Sequence, residues 1–410
     1  MKYGNIAFSG KEINNLGDQM QIIALNNMYD RLNIPESERV IIPFSELSTY
    51  SNNEKVILPI SFPILTYNPM GVCGLFSNDI IPLFIGFTWL NPIYSEEEIS
   101  YLKQYEPIGC RDEYTRNNLL KCGIKAYLNG CITLSAFFDC ADCFNTHKRT
   151  KVYLVDVEDS FLKYIPVAIK TKAEIRSQYV RAEKGKDIYQ IAQQRYKEYN
   201  DNARLVITSR LHCAIPCISM GIPVIILREK VSYRFSWVEK IAPIYTHKTI
   251  EKVDWNPKPV QCKEIIRMQC EVFADCIFHR VSNNYALLDD CLINREKISD
   301  YYIDGITPAL EYLSIKENQN KPYILWGGSI AAKCIYDVIT KNYHNMKLKR
   351  LIDKYNIITI GDNESCSYLD VSNKEWEEAA VFITALAANK EAESLFKSIG
   401  KSNDFIYCYY

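Results

Sequence analysis

The chain of 410 residues has almost no net charge, with 48 lysines and arginines against 49 aspartates and glutamates. A formal charge of −1 gives no general pull toward nucleic acid or an anionic lipid surface, and so argues against nucleic acid as the main partner. No apolar run approaches the roughly 20 residues that a membrane-spanning helix needs. The N-terminus has no basic segment leading into an apolar core, so no secretory signal is expected. A disulfide framework is also missing. The cysteine count is 15, an odd number, and Cys213, Cys217, Cys270 and Cys291 lie in apolar runs, which suits buried free thiols. The cytosol is therefore the expected compartment. Cys140 and Cys143 form a lone C-x-x-C with His147 beyond it, and a structural zinc site wants a second such pair. No metal is expected.

Hydrophobic residues make up 48% and charged residues 24%, an ordinary soluble composition. The length exceeds what one core usually supports. Apolar runs alternating with helical patterns divide into three α/β segments, 1–145, 146–317 and 318–410. The expected fold is α/β, with two Rossmann-like domains followed by a small Rossmann-like module.

The most informative stretch runs from Ala203 to Leu227. Leu205-Val206-Ile207 suits a strand buried on both faces, and Val224 to Leu227 suits the next one. Between them Thr208 and Ser209 offer capping hydroxyls, a helix starts near Arg210, and Gly221 and Pro223 stop it. This βαβ unit carries Ser209-Arg210-Leu211-His212 at a helix N-terminus, where free N–H groups and the helix dipole favour an anion. An anionic ligand that also needs a proton moved would fit; a surface arginine and a helix-start histidine would fit as well. Arg228, Lys230 and Arg234 follow the second strand and add cations to the same sheet end. With Arg210 they suit a ligand bearing both phosphate and carboxylate, against the alternative of a solvated loop.

In the first segment, Leu16, Met20, Ile23, Ala24 and Met28 mark one face of a helix that Asn14 or Asn15 can cap. Gly17 and Asp18 fall in its first turn, where Gly17 permits close approach. Asp18 is either a favourable first-turn acid or a partner for a hydroxyl. Arg111 precedes another helix start, where a cation is unfavourable without an anionic partner. That partner is either a neighbouring acid such as Asp112 or a ligand. Asn129-Gly130-Cys131 ends a strand, with Thr133 and Ser135 close behind. Residues 263–293 read as one or two helices closing the second segment and packing back across the first. In the third segment, Gly327-Gly328-Ser329 follows a strand, and Asp353 ends the next. The dinucleotide order G-x-G-x-x-G is incomplete, so a packing or docking module is expected ahead of a nucleotide site.

Taken in order, these stretches resemble the polysaccharide pyruvyl transferase family over roughly residues 1–300. They are Asn15-Leu16-Gly17-Asp18, Gly109 to Thr115, Asn129 to Ser135, Thr208 to His212 with Gly221 to Val224, and Arg234-Phe235-Ser236. Ser135 departs from the pattern, since a threonine is more usual there. The resemblance implies two Rossmann-like domains facing across a cleft, the GT-B arrangement. It also implies transfer of pyruvate from phosphoenolpyruvate to sugar hydroxyls of a glycan or lipid-linked saccharide, as a ketal, in building bacterial capsule or exopolysaccharide. By this resemblance Arg210, the Leu211 backbone, Arg111, Lys230 and Arg234 bind the donor, and His212 supplies the acid. Asp18 acts on the acceptor hydroxyl, with Asn15, Gly17 and Ser135 lining the acceptor side. Phosphoenolpyruvate is then a substrate and no cofactor is implied, because fixed cations can stabilise the departing phosphate. A lipid-linked acceptor would add peripheral contact with the inner membrane face. The alternatives are a nucleotide-sugar glycosyltransferase of the same architecture, a binding protein with a decayed site, and a nucleotide-sensing regulator acting through the third segment.

Overall fold

The computed structural model describes residues 1–7, 13–61, 72–89, 94–135, 137, 149–181, 187–229, 231–296, 306–354, 357–385, 388–400 and 405–408. Lys230 and the Cys140, Cys143 and His147 group lie outside them. Three sheets organise the chain. The first segment supplies β1 (Lys2–Ala7), β2 (Ile13–Asn15), α1 (Leu16–Arg31), β3 (Arg39–Pro43), β4 (Val56–Ile60) and β5 (Ile80–Phe87). It continues with α2 (Glu96–Lys103), β6 (Ile108–Cys110), α3 (Glu113–Lys121) and β7 (Ala126–Leu128). The sheet order is β3-β1-β4-β5-β6-β7, parallel throughout.

The second sheet uses β8 (Lys151–Val155), β9 (Ala173–Arg176), β11 (Ala203–Thr208), β12 (Val224–Leu227) and β13 (Ile244–Tyr245) in the order β13-β12-β11-β8-β9, again parallel. Around it lie α4 (Val167–Lys170), α5 (Ile188–Asn202), α6 (Leu211–Ser219), α7 (Lys263–Ile277) and α8 (Asn284–Ile293). The order reverses between β8 and β11, so the carboxyl ends of those two strands form the crevice where ligands bind in such sheets. Asp159–Phe161 forms a 3₁₀ turn ahead of α4. After α4 come two short strands, β9 and β10 (Tyr179–Arg181). The chain turns between them because β10 leaves its own sheet and pairs antiparallel with β2 of the first segment.

That ribbon is one of several ties between the first two domains. Leu16 N donates to Gln178 O at 2.8 Å. A continuous core joins Leu16 and Met20 of α1 to Ala192 and Tyr196 of α5 and to Cys213 and Cys217 of α6. Helix α6 is buried on every side, as an all-apolar helix must be. Helices α7 and α8 pack back across the first domain. Arg116 forms a bidentate pair with Asp289 at 2.7 and 2.6 Å, and Leu128 N donates to the same carboxylate at 2.6 Å. The result is two Rossmann-like domains facing one another, the GT-B-like arrangement.

The third part begins with α9 (Thr307–Ser314), β14 (Tyr323–Trp326), α10 (Ile330–Asn342), β15 (Leu348–Ile352) and β16 (Thr359–Ile360). It ends with β17 (Asn363–Cys366), α11 (Asn373–Glu378), β18 (Ala380–Ile383), α12 (Asn389–Ser398) and β19 (Phe405–Tyr407). Its sheet order, β16-β17-β15-β14-β18-β19, reverses between β14 and β18 as in a dinucleotide fold. The glycine turn there is closely packed by other side chains. A Cβ on Gly328 would lie 1.8 Å from Ile358 Cδ1, and one on Gly327 2.4 Å from Ala385 Cβ. Asp353 accepts from Gly328 N at 3.1 Å, so the acid that would meet a ribose is held by the glycine turn. The module packs through a core that includes Tyr233 of the second domain, with Tyr114 of the first against it.

Candidate functional site

At the β8/β11 crossover lies a cavity of about 410 Å³, lined from the first domain by Asn15 and Gly17 and from the second by Asp156, Glu158, Gln178, Tyr179, Ser209 to His212, Arg228, Ser232, Arg234 and Phe235. Its frame follows from local sequence. Thr208 and Ser209 do not cap α6; Arg210 occupies the cap position, with no side-chain bond there. Thr208 Oγ1 instead donates to Val155 O at 2.9 Å and accepts from Arg210 N at 3.0 Å. Ser209 Oγ donates to Asp156 O at 2.6 Å. Both hydroxyls tie the ends of β8 and β11 together, leaving the start of α6 open to a ligand.

His212 sits in the first turn of α6 and is 8% exposed. Pro216 lies four residues on and has no N–H to give the His212 carbonyl. The Tyr196 hydroxyl donates to that carbonyl instead, and Gln178 Nε2 donates to the Tyr196 oxygen at 3.0 Å. The ring is fixed on two sides. Its Nε2 lies 3.5 Å from Cys131 Sγ. On the other side Gly17 is pressed so close that a Cβ would be 2.9 Å from His212 Cβ and 3.1 Å from Nδ1. Asn15 caps α1 by accepting from Gly17 N at 3.0 Å and donates to Asp18 Oδ1 at 3.3 Å.

Cations converge on this ring. Arg111, 0% exposed, has no hydrogen-bond partner for any of its three guanidinium nitrogens among the described residues, and Arg234 Nε has none either. Burial and then the facing Arg234 push the Arg111 pKa down to about 10. Burial, then Arg111 and Arg234, hold the His212 pKa well below its ordinary value, so the ring is neutral at neutral pH. Arg210 is half-exposed, paired with Asp156 Oδ2 at 3.1 Å and set over the Tyr179 ring at 4.8 Å. Arg228 donates to Ser209 O at 2.9 Å and lies over Phe235 at 5.0 Å. Buried guanidinium nitrogens without acceptors are costly, and an anion with several oxygens would satisfy them.

A model of the polysaccharide pyruvyl transferase family matches residues 15–230, more than half of the chain. The chain belongs to the polysaccharide pyruvyl transferase family. No curated protein matches it. Among solved structures it is similar to KP1_0663 of Klebsiella pneumoniae, a functionally uncharacterized protein, at 14% identity over 55% of this chain and 83% of that one, TM-score 0.35. It is also similar to S. aureus MnaA with UDP (12% identity, 73% and 100% covered, TM-score 0.34) and to a Listeria monocytogenes UDP-N-acetylglucosamine 2-epimerase so described in its name (10%, 73% and 92%, TM-score 0.33). Such distant likenesses carry nothing about activity.

For this pyruvyl transferase family member, the structure brings Arg210, Leu211, His212, Arg234, Asn15 and Gly17 to one cavity; Arg111 does not line it but is near enough for its charge to act on His212. Arg111 forms no ion pair with Asp112, whose carboxylate instead caps α3 by accepting from Thr115 N at 2.8 Å. Asp18 lies beside Asn15 but does not line the cavity. Ser135 is corrected: it is fully buried, donates to Gln269 Oε1 at 2.7 Å and stands in the core beneath α7, not on an acceptor face. Lys230 lies outside the described residues. Sequence reading missed Asp156, Glu158, Gln178 and Tyr179. Asp156 was findable, because it follows β8 at the sheet's carboxyl end. Its φ of +45° is a strained value for a non-glycine residue, held by bonds from Arg210 and from Gln178 N. Gln178 and Tyr179 come from a ribbon between distant segments, for which no local pattern exists.

Proposed function

We propose that the chain transfers pyruvate from phosphoenolpyruvate to two hydroxyls of a saccharide, releasing phosphate and leaving a cyclic ketal. The observation that carries this reading is the buried, unpartnered Arg111 guanidinium beside Arg234 and His212. Phosphoenolpyruvate presents a phosphate and a carboxylate, and a site with several convergent cations suits both. Arg111 and Arg234 take the inner anionic group. Arg210, Arg228 and the N–H groups at the start of α6 take the outer one.

The chemistry divides into three steps. A proton from His212 goes to C3 of the enol, and C2 becomes electrophilic. A saccharide hydroxyl adds to C2 and gives up its proton. A second hydroxyl then displaces phosphate, whose bridging C–O bond breaks as the ketal closes and whose oxygen takes the second proton. Fixed guanidinium groups stabilise the charge on the departing phosphate without reorganisation. Asn15, with Asp18 beside it, faces the acceptor from the first domain, and the exposed Tyr179 ring offers a surface on which a sugar stacks. Among the described residues no helix is long and apolar enough to cross a membrane. Work in the cytosol, on a saccharide that is free or carried by a lipid at the membrane face, belongs to the same proposal.

The test is ligand protection of the full chain by phosphoenolpyruvate, UDP-sugars and NAD, with wild type and Arg210→Ala side by side. A ligand that binds only the folded chain adds about 2.7 kcal/mol at a hundredfold excess over Kd. Protection by phosphoenolpyruvate alone, reduced in the variant, is expected. Protection by a UDP-sugar and none by phosphoenolpyruvate would replace this reading with nucleotide-sugar transfer.

A further inference from the structure

We infer that Cys131 is the proton partner of His212, a positioning residue that sets the tautomer of the ring and replaces the proton it gives up. This rests on the pyruvyl transfer reading of the same cavity. Cys131 is fully buried three residues after β7 and does not line the cavity, and its Sγ lies 3.5 Å from His212 Nε2. Thr133 Oγ1 lies 3.1 Å from the same sulfur and can donate to it. Arg111 stands near enough for a thiolate at Cys131 to favour its charge. The ring's other nitrogen, Nδ1, is on the side of Gly17, which lines the cavity together with His212. The reacting carbon is therefore served from Nδ1, with Nε2 turned to the thiol.

The arrangement answers a difficulty in the site. His212 is itself buried, and the Arg111 and Arg234 guanidinium groups act on it, so an imidazolium there is unfavourable before the donor binds. A relay avoids it. The S–H bond of Cys131 breaks as Nε2–H forms, and Nδ1–H breaks as the C–H bond at C3 forms. The thiolate left behind is held by the Thr133 hydroxyl and the Arg111 charge. When the first saccharide hydroxyl adds to C2, its proton goes to Nδ1 and the Nε2 proton returns to sulfur. Thiol and neutral imidazole are restored, and no oxidant or further reactant enters.

The tautomer is readable without substrate by nitrogen NMR of the full chain labelled in its five histidines, with His212→Gln to assign the signal. The relay expects a proton on Nδ1 and a bare, hydrogen-bonded Nε2 in wild type, with that preference lost in Cys131→Ala. A proton on Nε2 in wild type, or an unchanged tautomer in the variant, overturns it. The second readout is exchange of the C3 hydrogens of phosphoenolpyruvate for solvent deuterium, with methyl glycosides present as acceptors. Cys131→Ser keeps the volume but places a much weaker acid behind the ring. It is expected to slow exchange about 100-fold or more, the low end of general-acid contributions, with phosphoenolpyruvate affinity within about twofold of wild type. Exchange at the wild-type rate in Cys131→Ser sinks the relay and leaves pyruvyl transfer standing. Wild type that neither binds nor exchanges phosphoenolpyruvate removes the pyruvyl reading, and the relay with it, whatever the tautomer.

Discussion

Replacing Arg111 by methionine should make the ligand-free protein more stable while removing most of its hold on the donor. Arg111 is fully buried, with no acceptor for its guanidinium nitrogens among the described residues, and it faces Arg234. Its pKa falls from 12.5 to about 10. At about 1.4 kcal/mol per tenfold, that difference corresponds to about 3 kcal/mol by which the surroundings disfavour the charge. A methionine of similar length fills the space and carries no charge, a replacement that is often neutral or stabilising at buried ionic positions. The expected gain in ligand-free stability is about 1–3 kcal/mol, read as a higher midpoint in a thermal or urea melt. Donor binding moves the other way. Hydrogen bonds to charged groups contribute about 1.5–3 kcal/mol, so phosphoenolpyruvate should bind about 10- to 100-fold more weakly. At a concentration that protects wild type by about 2.7 kcal/mol, a hundredfold weaker variant would gain only about 0.4 kcal/mol. A variant that melts lower than wild type, yet is protected equally by the donor, would refute the claim that Arg111 is held in strain for an anion.

The neutral His212 gives the protein an acid-sensitive component. Its folded pKa lies below the unfolded value near 6.5, so the unfolded chain takes the proton first. That contribution to stability is fully present above about pH 6.5 and is lost as pH falls through the folded pKa, with a slope of at most about 1.4 kcal/mol per pH unit. His212→Gln should flatten that part of the stability–pH curve, and an unchanged curve would count against a depressed pKa. Gly17→Ala puts a Cβ 2.9 Å from His212 Cβ and 3.1 Å from Asn15 Oδ1, so the ring or the cap must shift. Overpacking of this kind costs about 1–3 kcal/mol, and displacing the acid by a fraction of an ångström should reduce kcat more than it alters donor affinity. Equal kcat in the two proteins would show that the close approach is only packing. Tyr196→Phe leaves the His212 carbonyl without its hydroxyl donor and should lower stability by about 1–3 kcal/mol, measured by equilibrium melts.

The parts of this molecule that could be read from sequence are those built from neighbours along the chain. The βαβ unit over Ala203 to Leu227, helix α1 and its Asn15 cap follow from local periodicity and capping chemistry, and the structure has all of them, although α1 buries Gln19 and Gln21 as well as its apolar face. Arg111 was visible as an anomaly, because a cation at a helix start needs an anion. What the sequence could not say was whether the anion was a neighbour. Asp112 turned out to be occupied with Thr115 N and Thr88 and makes no hydrogen bond to Arg111. The failures are of one kind. Ser135 and the capping hydroxyls of Thr208 and Ser209 were placed by their position after a strand, while their actual bonds go to Gln269, Val155 and Asp156, far away in the chain. Short polar side chains have several partners within reach, so tertiary contacts decide among them.

The third module bears on the site through packing. Its core takes in Tyr233, and the Tyr114 ring packs on that of Tyr233 with centroids 4.5 Å apart and planes tilted by 34°. Tyr233 is the residue before Arg234, and Tyr114 lies two residues after Asp112 on the helix start that follows Arg111. Ser236 accepts from Glu113 N at 3.1 Å, and Lys240 pairs with Glu113 at 3.0 Å, so the turn carrying Arg234 is locked to the segment carrying Arg111. Two like charges kept close with no acceptor between them would separate if either backbone could move. The two inter-domain bonds and the tyrosine pair oppose that movement, and the module closes over the pair from outside. Within the module, Ile358 and Ala385 pack closely on Gly327 and Gly328, which stiffens the body that supports the two cations.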